Sequence, residues 1–178
     1  MPITLVKPTL AQLRELIGAV QTQARERHHF SIYPEGLPQG SLIEIAGSGK
    51  TEFVALFLKE QPELKTAWVE DSISINPYAL RQKGVRLKNI LFIEAGREIS
   101  WCLNQALQSG CFQVVVAESR SFREKDLRRY QLLSEKSNGH FFLLSETLGK
   151  SWAPHLQFQV EKLGSQLKIK NSRQRGLG

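Results

Sequence analysis

The chain has 178 residues, 41% hydrophobic and 23% charged, with 24 Lys and Arg against 17 Asp and Glu, a net charge of +7. That length suits one domain, the composition excludes wholesale disorder, and the positive balance favours an acidic partner, nucleic acid or an acidic protein face. Apolar runs such as 114–117 and 141–144 are far too short to span a bilayer. The start, residues 1–7, lacks the charged-then-apolar order of a secretory signal. Two cysteines, Cys102 and Cys111, make neither a disulfide framework nor metal-ligand spacing. A soluble, reduced, cytoplasmic protein is expected, with no membrane partner.

Thr9 and Gln12 have capping-box spacing, and Leu10, Leu13, Ile17, Val20 and Ala24 recur at three- and four-residue steps. This predicts an amphipathic helix over 9–27, a self-association or partner element with Arg14, Glu15, Arg25 and Glu26 outward. Residues 27–35 lack periodicity and read as a linker. The adjacent His28 and His29 do not face one ligand there and read as a solvated pair. Gly36, Pro38 and Gly40 mark a turn. Residues 42–46 form a short strand, 47–49 a tight loop and 50–61 a helix. A strand at 66–70 follows, then a helix at 77–83 opened by Pro77 and closed by Gly84. Next come a strand at 90–94 and a helix at 98–108 closed by Ser109 and Gly110. Three consecutive valines in a strand at 112–117 suit burial on both faces, as in a parallel sheet. Ser121 and Glu124 repeat the capping-box spacing and open a helix to about Lys136. A fifth strand covers 141–144, and 155–162 with 166–170 read as a hairpin. Residues 171–178 form a basic, frayed tail. Cys102, Cys111, Trp68 and Trp101 are expected in the core. Trp152, in the loop after the fifth strand, is the aromatic expected at a binding surface.

The chain thus divides into an N-terminal helix and linker (1–30), an α/β core (31–170) and the tail (171–178). Strands alternating with helices imply βαβ crossovers and a mostly parallel sheet with helices on both faces. Binding sites in such sheets collect at the carboxyl ends of the strands.

The segment Glu44-Ile-Ala-Gly-Ser-Gly-Lys-Thr51 places a glycine loop between a strand and a helix opening with Lys-Thr, the context of a phosphate loop. In an intact loop, backbone N–H groups and the helix N-terminus wrap a phosphate, Lys neutralises it and Thr holds Mg²⁺. The pattern needs four residues between its first glycine and Gly-Lys-Thr. Here position 44 is Glu, and only Ser48 separates Gly47 from Gly49, so the loop is three residues short. Two readings stay open. One is a nucleotide or anion site on Gly47, Ser48, Gly49, Lys50 and Thr51; the other is a βα turn that merely connects two elements.

Residues 36–51 resemble the phosphate-loop entry of the RecA recombinase family. Asn76-Pro-Tyr-Ala-Leu-Arg-Gln-Lys-Gly-Val85 with Asn89-Ile-Leu-Phe-Ile93 is similar to that family's next stretch, and the likeness runs from about Gly36 to Lys170. It implies a RecA-like fold with a second acidic motif at residues 114–119, where Glu118 stands for the metal-associated aspartate. Ser72 falls where the family has its catalytic glutamate, with Glu70 and Asp71 out of register, and the two DNA-binding loops are absent or very short. ATP with Mg²⁺ is therefore the cofactor the family implies and this chain is not expected to use; no ATP turnover is expected, and no metal site.

A closer resemblance is to the ImuA family of SOS mutagenesis proteins. It rests on Leu127-Arg-Arg-Tyr-Gln-Leu-Leu-Ser-Glu135, the strand after it, the leading helix with Leu13-Arg-Glu-Leu-Ile17, and the closing hairpin. The resemblance implies a non-catalytic accessory of damage-induced mutagenesis that works with an ImuB-like, Y-family-related protein and an error-prone polymerase in translesion synthesis. Two alternatives are an ATP-binding DNA recombination protein, and an inhibitor like SulA of the tubulin-like division protein. The second rests on Asn104-Gln-Ala-Leu-Gln-Ser-Gly-Cys-Phe-Gln-Val-Val-Val116. Lys168, Lys170, Arg173 and Arg175 have no acidic neighbours in sequence after Glu161. With Trp152 they are the candidate contacts to non-specific DNA or an acidic partner.

Overall fold

The computed structural model describes residues 25–118 and 122–175. Residues 9–24 of the helix predicted over 9–27, with Leu10, Leu13, Ile17 and Val20, lie outside them. The described elements run β1 (Arg27–Phe30), β2 (Tyr33–Pro38), β3 (Leu42–Ala46), α1 (Lys50–Glu60), β4 (Thr66–Glu70), α2 (Pro77–Gln82), β5 (Ile90–Glu94), α3 (Ile99–Gln108), β6 (Val114–Glu118), α4 (Glu124–Ser137), β7 (His140–Ser145), β8 (Leu156–Leu163) and β9 (Gln166–Gln174).

Seven strands make one sheet in the order β5-β4-β6-β7-β3-β8-β9. All neighbours are parallel except β9, which returns antiparallel on β8. Every residue of β3, β4 and β7 is buried, because helices cover both faces and the strands are mostly apolar. On one face Phe53, Val54, Phe57 and Leu58 of α1 and Leu80 of α2 meet Ile43, Ile45, Trp68, Phe142 and Phe158. On the other, Leu103, Ala106 and Leu107 of α3 and Leu127 and Tyr130 of α4 meet Leu42, Val69, Val115, Phe141 and Leu143. Each large apolar side chain so enclosed contributes about 1.5–3 kcal/mol.

Local chemistry sets the ends. The Asn76 side chain accepts from the Tyr78 and Ala79 N–H groups and caps α2, whose first residue is Pro77. Asn138 at φ 53° closes α4 in the left-handed conformation. The capping box expected at Ser121 and Glu124 is not the start of α4: the cap position is Arg123, with no side-chain cap, and Glu124 is its first helical residue.

Three expectations need correction. Residues 27–30 are not a linker; they form β1, which pairs antiparallel with β2 as a separate two-stranded ribbon. That pairing takes Arg27 out of the predicted helix and turns Gly36, Leu37 and Pro38 from a turn into strand. His28 is not solvated beside His29. Its Nδ1 lies 2.7 Å from Nε2 of fully buried His140, fastening the ribbon to β7. Lastly, β9 continues to Gln174, so Asn171–Arg173 belong to the sheet and not to a frayed tail. β8 supplies the missing partner: Arg173 pairs with Gln157 and Gln174 with Leu156.

Candidate functional site

The loop after β3 is tight. Gly47 sits at φ 102°, and Lys50 opens α1 with Gly49 at the cap position and no side-chain cap. Its amides turn inward. Gly49 N–H donates to the Val160 carbonyl at 3.3 Å, and Lys50 N–H to the Gly47 carbonyl at 3.2 Å. The hairpin lies directly against it: Lys162 N–H donates to Ser48 Oγ at 3.1 Å. A Cβ on Gly47 would lie 2.2 Å from the Val160 oxygen, and one on Gly49 would lie 2.5 Å from Leu167 Cδ1. Thr51 follows in the first turn of α1, half-buried.

The Lys50 ammonium donates to the Glu146 carboxylate just beyond β7. That hydrogen bond, and then the lysine's charge, hold the Glu146 carboxyl below the usual range. Glu52, in the first turn of α1, is raised by burial, but the Lys162 hydrogen bond, its own backbone amide and the charges of Lys162 and Lys83 outweigh that, and its pKa is lowered. Its Oε1 lies 2.7 Å from Lys162 Nζ and 3.5 Å from Lys83 Nζ.

Position 44, where the phosphate-loop pattern asks for glycine, has a structural use that the sequence reading missed. The buried Glu44 carboxylate accepts from Ser145 Oγ at 2.9 Å, Gly149 N–H at 3.0 Å and Gln157 Nε2 at 2.6 Å. It ties β3 to β7, to β8 and to the loop 146–155 that links them without a crossover helix. An acid inside an otherwise apolar strand was the available signal, since a buried charge must find donors.

The other acids lie elsewhere. Glu118 ends β6, with β7 between it and β3. Glu70 is buried and accepts from the Trp68 indole N–H at 2.9 Å and the Ser74 and Ile75 amides at 2.5 and 3.2 Å. It shapes the turn after β4. Ser72 is exposed. Among the described residues no three His, Cys, Asp or Glu side chains gather into a metal site.

Of the candidate contacts on the basic end, Lys168, Lys170 and Arg173 lie on β9, and Arg175 N–H, just past it, donates to the His155 carbonyl. Lys170 pairs with Glu161 at 2.7 Å. Lys168 stands opposite Glu161 and Arg173 opposite Gln157, which puts both on the sheet face bearing Gln157 and Glu161. Trp152 is 55% exposed, and the Arg128 guanidinium of α4 covers its ring at 5.0 Å. Trp68 is in the core, but Trp101 is 60% exposed: it falls outside the apolar stripe that Leu103, Ala106 and Leu107 make on α3. Cys111 is likewise exposed, in the turn before β6, and Cys102 half-buried, against the expectation of burial.

A parallel sheet of this order, helices on both faces and a glycine turn leading β3 into α1 define a RecA-like α/β fold. Among solved structures the chain is similar to the RadB recombinase, with a TM-score of 0.60 and 14% identity over 79% of this chain and 84% of that one. At that identity the likeness is one of fold. No family model matches the sequence, and no curated protein matches it. No helix among the described residues is long and apolar enough to cross a membrane.

Proposed function

We propose that the chain is a non-catalytic RecA-like accessory protein of damage-induced mutagenesis, acting in translesion synthesis with an ImuB-like, Y-family-related protein and an error-prone polymerase. One observation carries the non-catalytic part: the shortened loop spends its Gly49 and Lys50 amides on Val160 and Gly47 and its lysine on Glu146. The residues present do not fit a triphosphate with Mg²⁺. A phosphate cradle needs several N–H groups pointing into open space, and here the hairpin fills that space. Phosphoryl transfer is almost wholly positioning and charge stabilisation, so a site without either has little to offer it. The resemblance of residues 127–135 and of the closing hairpin to the ImuA family supports the mutagenic setting. Non-specific DNA contact through Lys168, Arg173 and Trp152 fits the same role.

The test has two arms. Phosphate release is measured with and without single-stranded DNA for the full chain and for Lys50→Ala, and both stay at background. A rate above background that disappears in Lys50→Ala overturns the non-catalytic reading. Pull-down from damaged cells recovers the ImuB-like protein and the polymerase. Recovery of the tubulin-like division protein in their place overturns the mutagenic reading.

A further inference from the structure

A groove of about 420 Å³ lies between the outer side of α1 and the turn joining β8 to β9, within the ~300–1,000 Å³ of ordinary ligand sites. Its floor is aliphatic, formed by Ala55, Leu56 and Leu167. Lys59, Lys83 and Lys162 stand around it, with Glu52 the one acid among the lining residues. Lys83 and Lys162 share that carboxylate. Lys59 is exposed and has no ion pair among the described residues.

We propose that this groove docks an acidic segment of a partner protein, which seats one apolar side chain on Leu56 and Leu167 and sets flanking carboxylates on Lys59 and Lys83. Three cations against one acid leave a local excess of two positive charges beside a floor that water solvates poorly. An apolar anchor gains from leaving water, and carboxylates beside it meet ammonium groups that steer the encounter. The same features disfavour a nucleotide. The lining holds no aromatic ring to stack on a base, the nearby Gly49 and Lys50 amides are already bonded, and lysines present no bidentate fork to a phosphate. The docking needs neither ATP, DNA nor a polymerase, so its failure and the failure of the proposed function are separate outcomes.

The probe is a short fluorescein-labelled peptide with a Leu-Phe core flanked by Asp and Glu, titrated against the full chain by anisotropy. A peptide with Lys in place of the acids is the control. The acidic peptide binds, its affinity falls with salt, and the control does not bind. Reversing two exposed charges in Lys59→Glu/Lys83→Glu weakens binding at least about tenfold, as loss of two screened ion pairs plus repulsion requires. Lys59→Gln, a single exposed change with no partner to orphan, weakens it less. Thermal melts confirm that both variants fold. Equal binding by the double variant, equal binding of the basic peptide, absence of binding at about 1 mM protein, or displacement of the peptide by ATP each overturns the proposal; the last makes the groove an anion site instead.

Discussion

Gly47 turns the chain at φ 102°, and the atom an added Cβ would meet is the backbone oxygen of Val160. Backbone cannot swing aside as a side-chain tip can, so Gly47→Ala must push the hairpin off the loop. We expect a loss of about 2–4 kcal/mol, from backbone strain and broken packing together. Gly96→Ala is the comparison. Gly96 is also left-handed, at φ 52°, but has nothing within 4 Å, so only the conformational cost of about 1–2 kcal/mol applies. Urea melts that gave equal losses at the two sites would show that the close approach at position 47 does not matter. His140 provides a second test. Burial, and then the neighbouring His28, lower its pKa to about 3, below the ~6.5 of an unfolded histidine. The unfolded chain therefore binds this proton more readily. Stability is whole above about pH 6.5 and falls as pH drops from there toward 3, by a few kcal/mol in all. His140→Gln keeps a hydrogen-bonding group beside His28 but cannot titrate. Its stability should fall less steeply between pH 7 and 4, and parallel profiles would remove His140 as the cause. The glycine turn between β3 and the helix that opens at Lys50 was legible, because local spacing suffices. Glu146, the partner of Lys50, and Val160, whose carbonyl accepts from Gly49 N–H, were not, because they come from far along the chain.

At the level of elements, the helices and buried strands among the described residues were read to within a residue or two. Apolar periodicity and glycine or proline stops mark them locally. The ribbon β1–β2 and the end of β9 were missed for one reason. Residues 171–174 are exposed throughout and residues 27–29 polar, so their strand state comes from a partner and not from a pattern. This changes how the basic end must be tested. Truncation at Leu167 would strip β8 of most of its antiparallel partner, so charge reversal is the clean experiment. Lys168 and Arg173 lie on one face of β9, five residues apart on a rigid strand and not on a loose tail. If both neutralise phosphates of duplex DNA, Lys168→Glu/Arg173→Glu makes the slope of log affinity against log salt shallower by about 1.8. An unchanged slope would take β9 out of the DNA contact.

For the whole molecule, alternation of strands with helices sufficed to give a parallel sheet covered on both faces. The strand order was not legible from composition or spacing, since it depends on which buried edges meet. That order has a consequence for how the chain is made. β3 leaves the ribosome about a hundred residues before either of its neighbours: Leu42 pairs with Phe141, and Ile43 with Leu156. Until then its N–H and C=O groups have no lateral partner, and Glu44 lacks the three donors from Ser145, Gly149 and Gln157. β3 therefore gains its two sheet neighbours only after about a hundred further residues have been synthesised. A stalled or prematurely released chain would expose the apolar β3 as an open edge, a template for aggregation that quality-control proteases and chaperones must intercept.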